Sequence, residues 1–181
     1  QLEQDPSPLE AHLAPYNIKR LGIYAEKLVE FWIKWHPAYE YLGSNIVIKG
    51  EKQTIGELDF IYKRHSDQKI VHLEMAIKFY LGYGDTSDWM NWYGPNSIDR
   101  LGIKLPKLYQ KQALLHRNKF AQELLEQKGW PVDESHILLK GCLYYPSFQE
   151  ASLPIHVSGT HGRGMYLSTC ELRKWNEDPE C

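Results

Sequence analysis

The stretch that decides the fold runs from Gly56 to Leu81, GELDFIYKRHSDQKIVHLEMAIKFYL. It reads as two extended strands joined by a polar turn over His65 to Gln68. Side chains alternate across a strand with period two. Glu74, Ala76 and Lys78 therefore share one face of the second strand, and Leu73, Met75, Ile77 and Phe79 share the other. Asp59 stands in the first strand, with Glu57 two residues before it. A glutamate and a lysine facing one way in an apolar strand are costly to bury unless something pairs with them. A metal ion is one such partner. An ion pair between Glu74 and Lys78 is the other.

Working outward from these strands, Asn45 to Ile48 (NIVI) predicts a further strand, so the three make an antiparallel meander. Before it, a helix is expected from Asn17 or Ile18 to Trp35, stopped by Pro37. Leu21, Ala25, Leu28 and Trp32 fall at helical spacing and form its apolar stripe, flanked by Tyr24, Phe31 and Trp35. Glu26 and Glu30 lie one turn apart off that stripe, as on a solvated face. Residues 1–15 hold three prolines and read as a flexible lead-in. The remainder, 16–181, reads as one domain.

After the meander, Leu81 to Asn96 (LGYGDTSDWMNWYGPN) is rich in Gly, Asp and aromatics and has no periodicity. It is expected to be a long loop, either a binding wall or a packed loop whose tryptophans finish the core. Asn96 or Ser97 is placed to cap a helix from about Ile98. Pro106 should end or kink it, with a second helix from Lys107 to about Lys128, closed by Gly129. His136 to Tyr145 and Gly164 to Leu172 read as paired strands, with a polar loop around Ser158 and His161 between them. The expected class is α/β (α+β): a small mixed central sheet flanked by helices.

Composition narrows the function. A net charge of −2 over 181 residues gives no bulk signal for nucleic acid or an anionic membrane. Three scattered cysteines fit neither a disulfide framework nor a Cys-rich zinc site, and their odd number suits a reducing cytoplasm. No apolar run reaches the length of a membrane span, and no signal peptide is visible. The chain opens on Gln1, as a piece of a longer protein would. Phosphate-cradling GxxxxGK[ST], paired-His zinc and nucleophile-elbow motifs are absent.

Magnesium and manganese prefer carboxylate oxygen and water. One carboxylate from each of two neighbouring strands, Asp59 and Glu74, would meet that demand. Lys78 lies about 13 Å beyond Glu74 by strand rise alone. Its ammonium would have to reach back along the flexible stem, or be brought closer by a bulge or a twist.

The order of helix with Glu, strand with Asp, strand with Glu and Lys, then helix with Gln resembles the PD-(D/E)XK nuclease superfamily, whose core is a restriction-endonuclease-like sheet. Its usual Glu-x-Lys is here Glu74-Met75-Ala76-Ile77-Lys78, with Ala76 in the usual lysine place. A closer resemblance is to an uncharacterised bacterial family, a domain of unknown function placed in that superfamily. The matching blocks include Leu21-Gly22-x-Tyr24-x-Glu26, Gly56-Glu57-Leu58-Asp59-Phe60, His72-Leu73-Glu74-x-Ala76-x-Lys78-Phe79-Tyr80-Leu81, Trp92-x-Gly94-Pro95-Asn96, Asp99-Arg100-Leu101-x-x-Lys104-Leu105, and Gln112. The resemblance implies Asp59, Glu74 and Glu26 as ligands of Mg2+ or Mn2+, and Lys78 and Gln112 as catalytic residues. Arg100, Lys104, Trp89, Trp92 and Tyr93 would contact phosphate or stack on bases. The implied activity is metal-dependent hydrolysis of phosphodiester bonds in DNA or RNA. Its alternatives are an inactive nucleic-acid-binding or structural member of the same fold, and an unrelated domain whose strand charges are salt bridges.

Overall fold

The computed structural model describes residues 5–147, 152, 154 and 157–177. Three long strands follow one another: β1 (Tyr39–Lys49), β2 (Thr54–Arg64) and β3 (Ile70–Gly82). They pair antiparallel in succession, as the short turns between them require. A short β4 (Trp92–Tyr93) adds to β3, and β5 (Glu134–Pro146) pairs parallel with β6 (Gly162–Tyr166). The mixed six-stranded sheet has the order β1-β2-β3-β5-β6, with β4 on β3. The helices are α1 (Ser7–Leu13), α2 (Leu21–Trp35), α3 (Leu101–Lys107), α4 (Lys119–Gln127) and α5 (Thr169–Glu177). No helix among the described residues is long and apolar enough to cross a membrane.

The chain divides into two compact units. The first comprises Gln1–Ile77 and Lys107–Leu139, the second Lys78–Pro106 and Lys140–Cys181. In the first unit the meander is sandwiched. Ile33 of α2 packs on Phe60, Tyr62, Val71 and Leu73 on one face. Ala121 and Leu125 of α4 pack with Ile48, Leu58 and Ile61 on the other. The second unit has its own core of Tyr80, Trp92, Leu101, Leu143 and Tyr145.

Several expectations are corrected. The lead-in contains α1: Pro6 and Pro8 stand at its start, where a missing N–H costs nothing, and Pro15 follows its end. The His12 ring of α1 lies 5.4 Å from that of Phe31. Helix α2 turns a different face inward from the one its apolar stripe suggests. Leu21 and Trp32 are exposed, while Ala25, Glu30, Phe31 and Ile33 are buried. Glu30, only 5 % exposed, is held by Lys27 at 2.6 Å and Lys34 at 2.5 Å. Burial alone would raise its pKa, but the two ammonium groups outweigh it and hold the carboxyl below its ordinary value.

The long helix expected after Pro106 is broken. Helix α3 runs through that proline, a π-helical turn spans Leu108–Gln112, and a 3-10 turn spans Leu115–Arg117. Asn118 then caps α4 through Phe120 N–H. The last third differs too. The strand expected over Gly164–Leu172 stops at Tyr166, and α5 follows. Ser168 and Glu171 form a reciprocal capping box there, the side chain of each accepting from the other's backbone N–H.

Glu30 gives acid sensitivity of known sign. Its folded pKa is depressed, so its contribution is complete above the unfolded value near 4.5 and is lost as pH falls through the folded one. Glu30→Gln should lower stability at pH 7 by about 1–3 kcal/mol in urea unfolding. The gap to the unaltered protein should narrow as pH falls below the ordinary carboxyl value of 4.5.

Candidate functional site

The strand β2 breaks its own alternation at one point. Phe60 and Tyr62 face α2, while Leu58 and Ile61 both belong to the cluster under α4. Leu58 and Ile61 are three residues apart, and strict alternation would place them on opposite faces. The strand therefore switches faces between Leu58 and Phe60, which is at Asp59. The neighbouring strand is irregular at the same level. The β1–β2 register sets Asn45 opposite Asp59, and Asn45 has φ +52°, a conformation that asparagine tolerates better than most residues.

The β2–β3 register pairs Phe60 with Leu73 and Ile61 with His72. That pairing ends at Phe60 and Leu73, and Asp59 and Glu74 are the next residue on each strand. At that level the half-buried Asp59 side chain takes over the pairing, and Met75 N–H donates to its Oδ2 at 2.7 Å. The two carboxylates that the sequence singled out thus lie on neighbouring strands, each one residue beyond the last regular pair.

Glu74 is 1 % exposed. Its Oε1 accepts from Gln112 Nε2 at 2.7 Å. Gln112 closes the π-helical turn, whose widened spacing is marked by Ala113 N–H donating to Leu108 O at 2.9 Å. An extra residue in a helical turn changes the direction in which the following side chains leave the axis, and such turns recur at functional positions. His72, two residues before Glu74 on the same face, brings its Nε2 within 3.7 Å of Glu74 Oε2. The ring of His116 lies edge-on to it at 5.6 Å. Burial pushes the His72 imidazole down to about 4, and the neighbouring His116 adds to this. At neutral pH His72 is uncharged, so its contact with Glu74 is not an ion pair.

The other expected residues are distributed as follows. Glu26 is half-buried on α2, in the layer on the opposite face from Gln112. Lys78 belongs to the second unit, where its ammonium lies 3.1 Å from Asp99 Oδ2. Lys104 is half-buried on α3. The Arg100 guanidinium sits 4.4 Å over the Tyr93 ring and donates to Met90 O. Trp89 packs against the second core, and Trp92 lies inside it, 0 % exposed, with its indole N–H donated to Thr86 O. Trp92 is therefore a core residue and not a surface on which a base stacks. The aromatic stretch finishes the core at Trp92 and leaves Tyr93 half-buried.

His72 and His116 were not anticipated. The even spacing of His72 and Glu74 was the available signal, but an apolar strand gives no sign that a helical turn will bring His116 against them. In the late polar loop, His161 contacts the Tyr145 hydroxyl at 2.8 Å and the Ser158 carbonyl at 2.7 Å, so it braces the loop. His156 lies outside the described residues. Cys142 is half-buried and Cys170 exposed, both as free thiols.

A family model described as a domain of unknown function (DUF1853) matches residues 1–180. The chain belongs to that family. No curated protein and no solved structure matches this DUF1853 chain. Among its described residues, no group of three or more His, Cys, Asp or Glu side chains is disposed to hold a metal ion.

The Gln112–Glu74 hydrogen bond should carry weight in stability. Gln112→Leu removes the amide donor from a buried carboxylate and should lower the unfolding free energy by about 1–3 kcal/mol. A lower urea midpoint with an unchanged slope checks this. Gln112→Glu, which sets a second carboxylate against the first, should cost more.

Proposed function

We propose that this chain is a divalent-metal-dependent nuclease of the PD-(D/E)XK kind, with Asp59 and Glu74 as its carboxylate pair. The observation that carries the reading is their position, one on each strand immediately past the last β2–β3 pair, where the ladder gives way to a side-chain hydrogen bond. The donor set fits the ion in kind. Mg2+ asks a protein for one or two carboxylates and fills its other positions with water and substrate phosphate. When bound, the ion would lower the pKa of a water and offset charge on a phosphate oxygen.

The chain's own residues have definable parts. Glu74, buried and fixed through Oε1 by Gln112, keeps one carboxylate in a single orientation. Such outer hydrogen bonds to a ligating carboxylate set its direction and basicity. Asp59, half-buried, gives the pair its more open side.

A second reading has its own support. Ala76 occupies the superfamily's usual lysine place, and Lys78 is engaged by Asp99. On that reading the chain binds nucleic acid without cutting it.

Cleavage of plasmid and short single strands with Mg2+ or Mn2+ and in EDTA separates the two. The nuclease reading expects metal-dependent cleavage that falls about 100-fold or more in Asp59→Ala and about 10- to 100-fold in Gln112→Ala. Equal cleavage by Asp59→Ala would assign the activity elsewhere. Metal-independent binding with no cleavage would leave the second reading.

A further inference from the structure

The second unit contains a cleft of about 320 Å3 lined by Phe79, Tyr80, Leu81, Tyr93, Ser97 and Tyr144, together with Gly94 and Pro95. Its size is at the small end of sites that take small molecules. Four of its lining residues are aromatic, and three of them, Phe79, Tyr93 and Tyr144, keep part of their surface exposed. We propose that this cleft receives an unstacked base of a single-stranded nucleic acid. The inference rests on the nucleic-acid reading above and names its substrate class.

The aromatic walls are held in place from behind. The Tyr80 ring is buried in the second core, and its hydroxyl reaches Asp99 Oδ2 at 3.4 Å. The same carboxylate takes the Lys78 ammonium at 3.1 Å. Tyr144 packs against Gly164 so closely that a Cβ at Gly164 would lie 2.4 Å from the ring. Glycine there lets the ring lie on the strand, and Tyr144 still keeps 36 % of its surface exposed. Tyr93 is covered by the Arg100 guanidinium at 4.4 Å. Rings braced in this way lose little freedom when a planar ligand enters.

The occupant follows from charge and shape together. Aromatic rings offer a π-face on which any base stacks, largely without regard to sequence. Arg100 is a cation beside that wall, lying over the Tyr93 ring and donating to the Met90 carbonyl. A planar aromatic ring joined to a phosphodiester matches both features. In a duplex each base is covered on both faces by its neighbours, so a cleft of this kind admits a base only from an unpaired, splayed strand. The Ser97 hydroxyl and the backbone of the turn in which Ser97 N–H donates to Gly94 O provide polar groups at the rim.

The test is binding in EDTA, so that it does not depend on cleavage. The probes are an eight-nucleotide oligothymidine, an abasic strand of the same length and the corresponding duplex, each read by fluorescence anisotropy. The oligothymidine should bind the unaltered protein at least about 10-fold more tightly than the abasic strand or the duplex. Tyr144→Leu should weaken oligothymidine binding by about 5- to 100-fold while leaving the abasic strand unchanged, and Tyr144→Phe should retain it. Arg100→Gln should weaken both single strands alike and lower the slope of affinity against salt by about 1. Equal binding of the base-bearing and abasic strands to the unaltered protein overturns the inference even if Tyr144→Leu does not fold. So does unchanged oligothymidine binding by a folded Tyr144→Leu. Either result, alongside metal-dependent cleavage that needs Asp59, leaves the nuclease reading standing. Base-dependent binding without any cleavage does the reverse.

Discussion

A carboxylate inside a sheet is the constraint around which the first unit is arranged. An ionised group withdrawn from water costs several kcal/mol unless its oxygens are met by donors of good geometry. Glu74 is almost wholly buried, and its known donor, Gln112, comes from a segment 38 residues away. That donor stands at the end of the π-helical turn into which the helical run after Pro106 widens. A regular helix over the same residues would send Gln112 in another direction. The local departure from regular structure and the buried charge therefore have to be read together.

A second departure lies on the strand next to Glu74. Strand β2 changes faces at Asp59, and β1 takes a left-handed residue, Asn45, at the same level. Irregularities of this kind re-aim a side chain and end regular pairing. Here the Asp59 carboxylate meets a backbone N–H of β3 where a ladder hydrogen bond would otherwise be expected. The β2–β3 ladder thus ends with a carboxylate of each strand just past its last pair. The apolar clusters under α2 and α4 clamp the strands from both faces.

In the second unit the organising force is aromatic burial. Trp92 and Tyr145 meet edge to face at 5.0 Å, with the Trp92 indole N–H satisfied by a backbone carbonyl. Such pairing adds to the burial of large rings. With Trp92 inside, the stretch that carries it becomes part of the core, while Tyr83 of the same stretch and Tyr144 of β5 keep exposed aromatic surface. Gly141 shows how tightly the backbones approach: it has φ +150°, and a Cβ there would lie 1.6 Å from the Lys78 carbonyl.

The sequence by itself determined the meander, the helix ending before Pro37, the α4 stop at Gly129 and the facing of Glu74 away from Leu73 and Met75. These rest on local rules, namely period-two and period-3.6 burial, and the chain punctuation that Gly and Pro supply. It also held the Ser168–Glu171 capping box that starts α5, although an apolar run reads more readily as a strand. Tertiary structure alone decided which face of α2 turns inward, because Glu30 is buried only with two lysines closing on it. It alone placed Gln112 and His116 against the second strand, made Trp92 core, and gave Lys78 to Asp99. Each of those outcomes depends on a partner many residues away or on a break in regular geometry, and neither leaves a periodic trace in the chain.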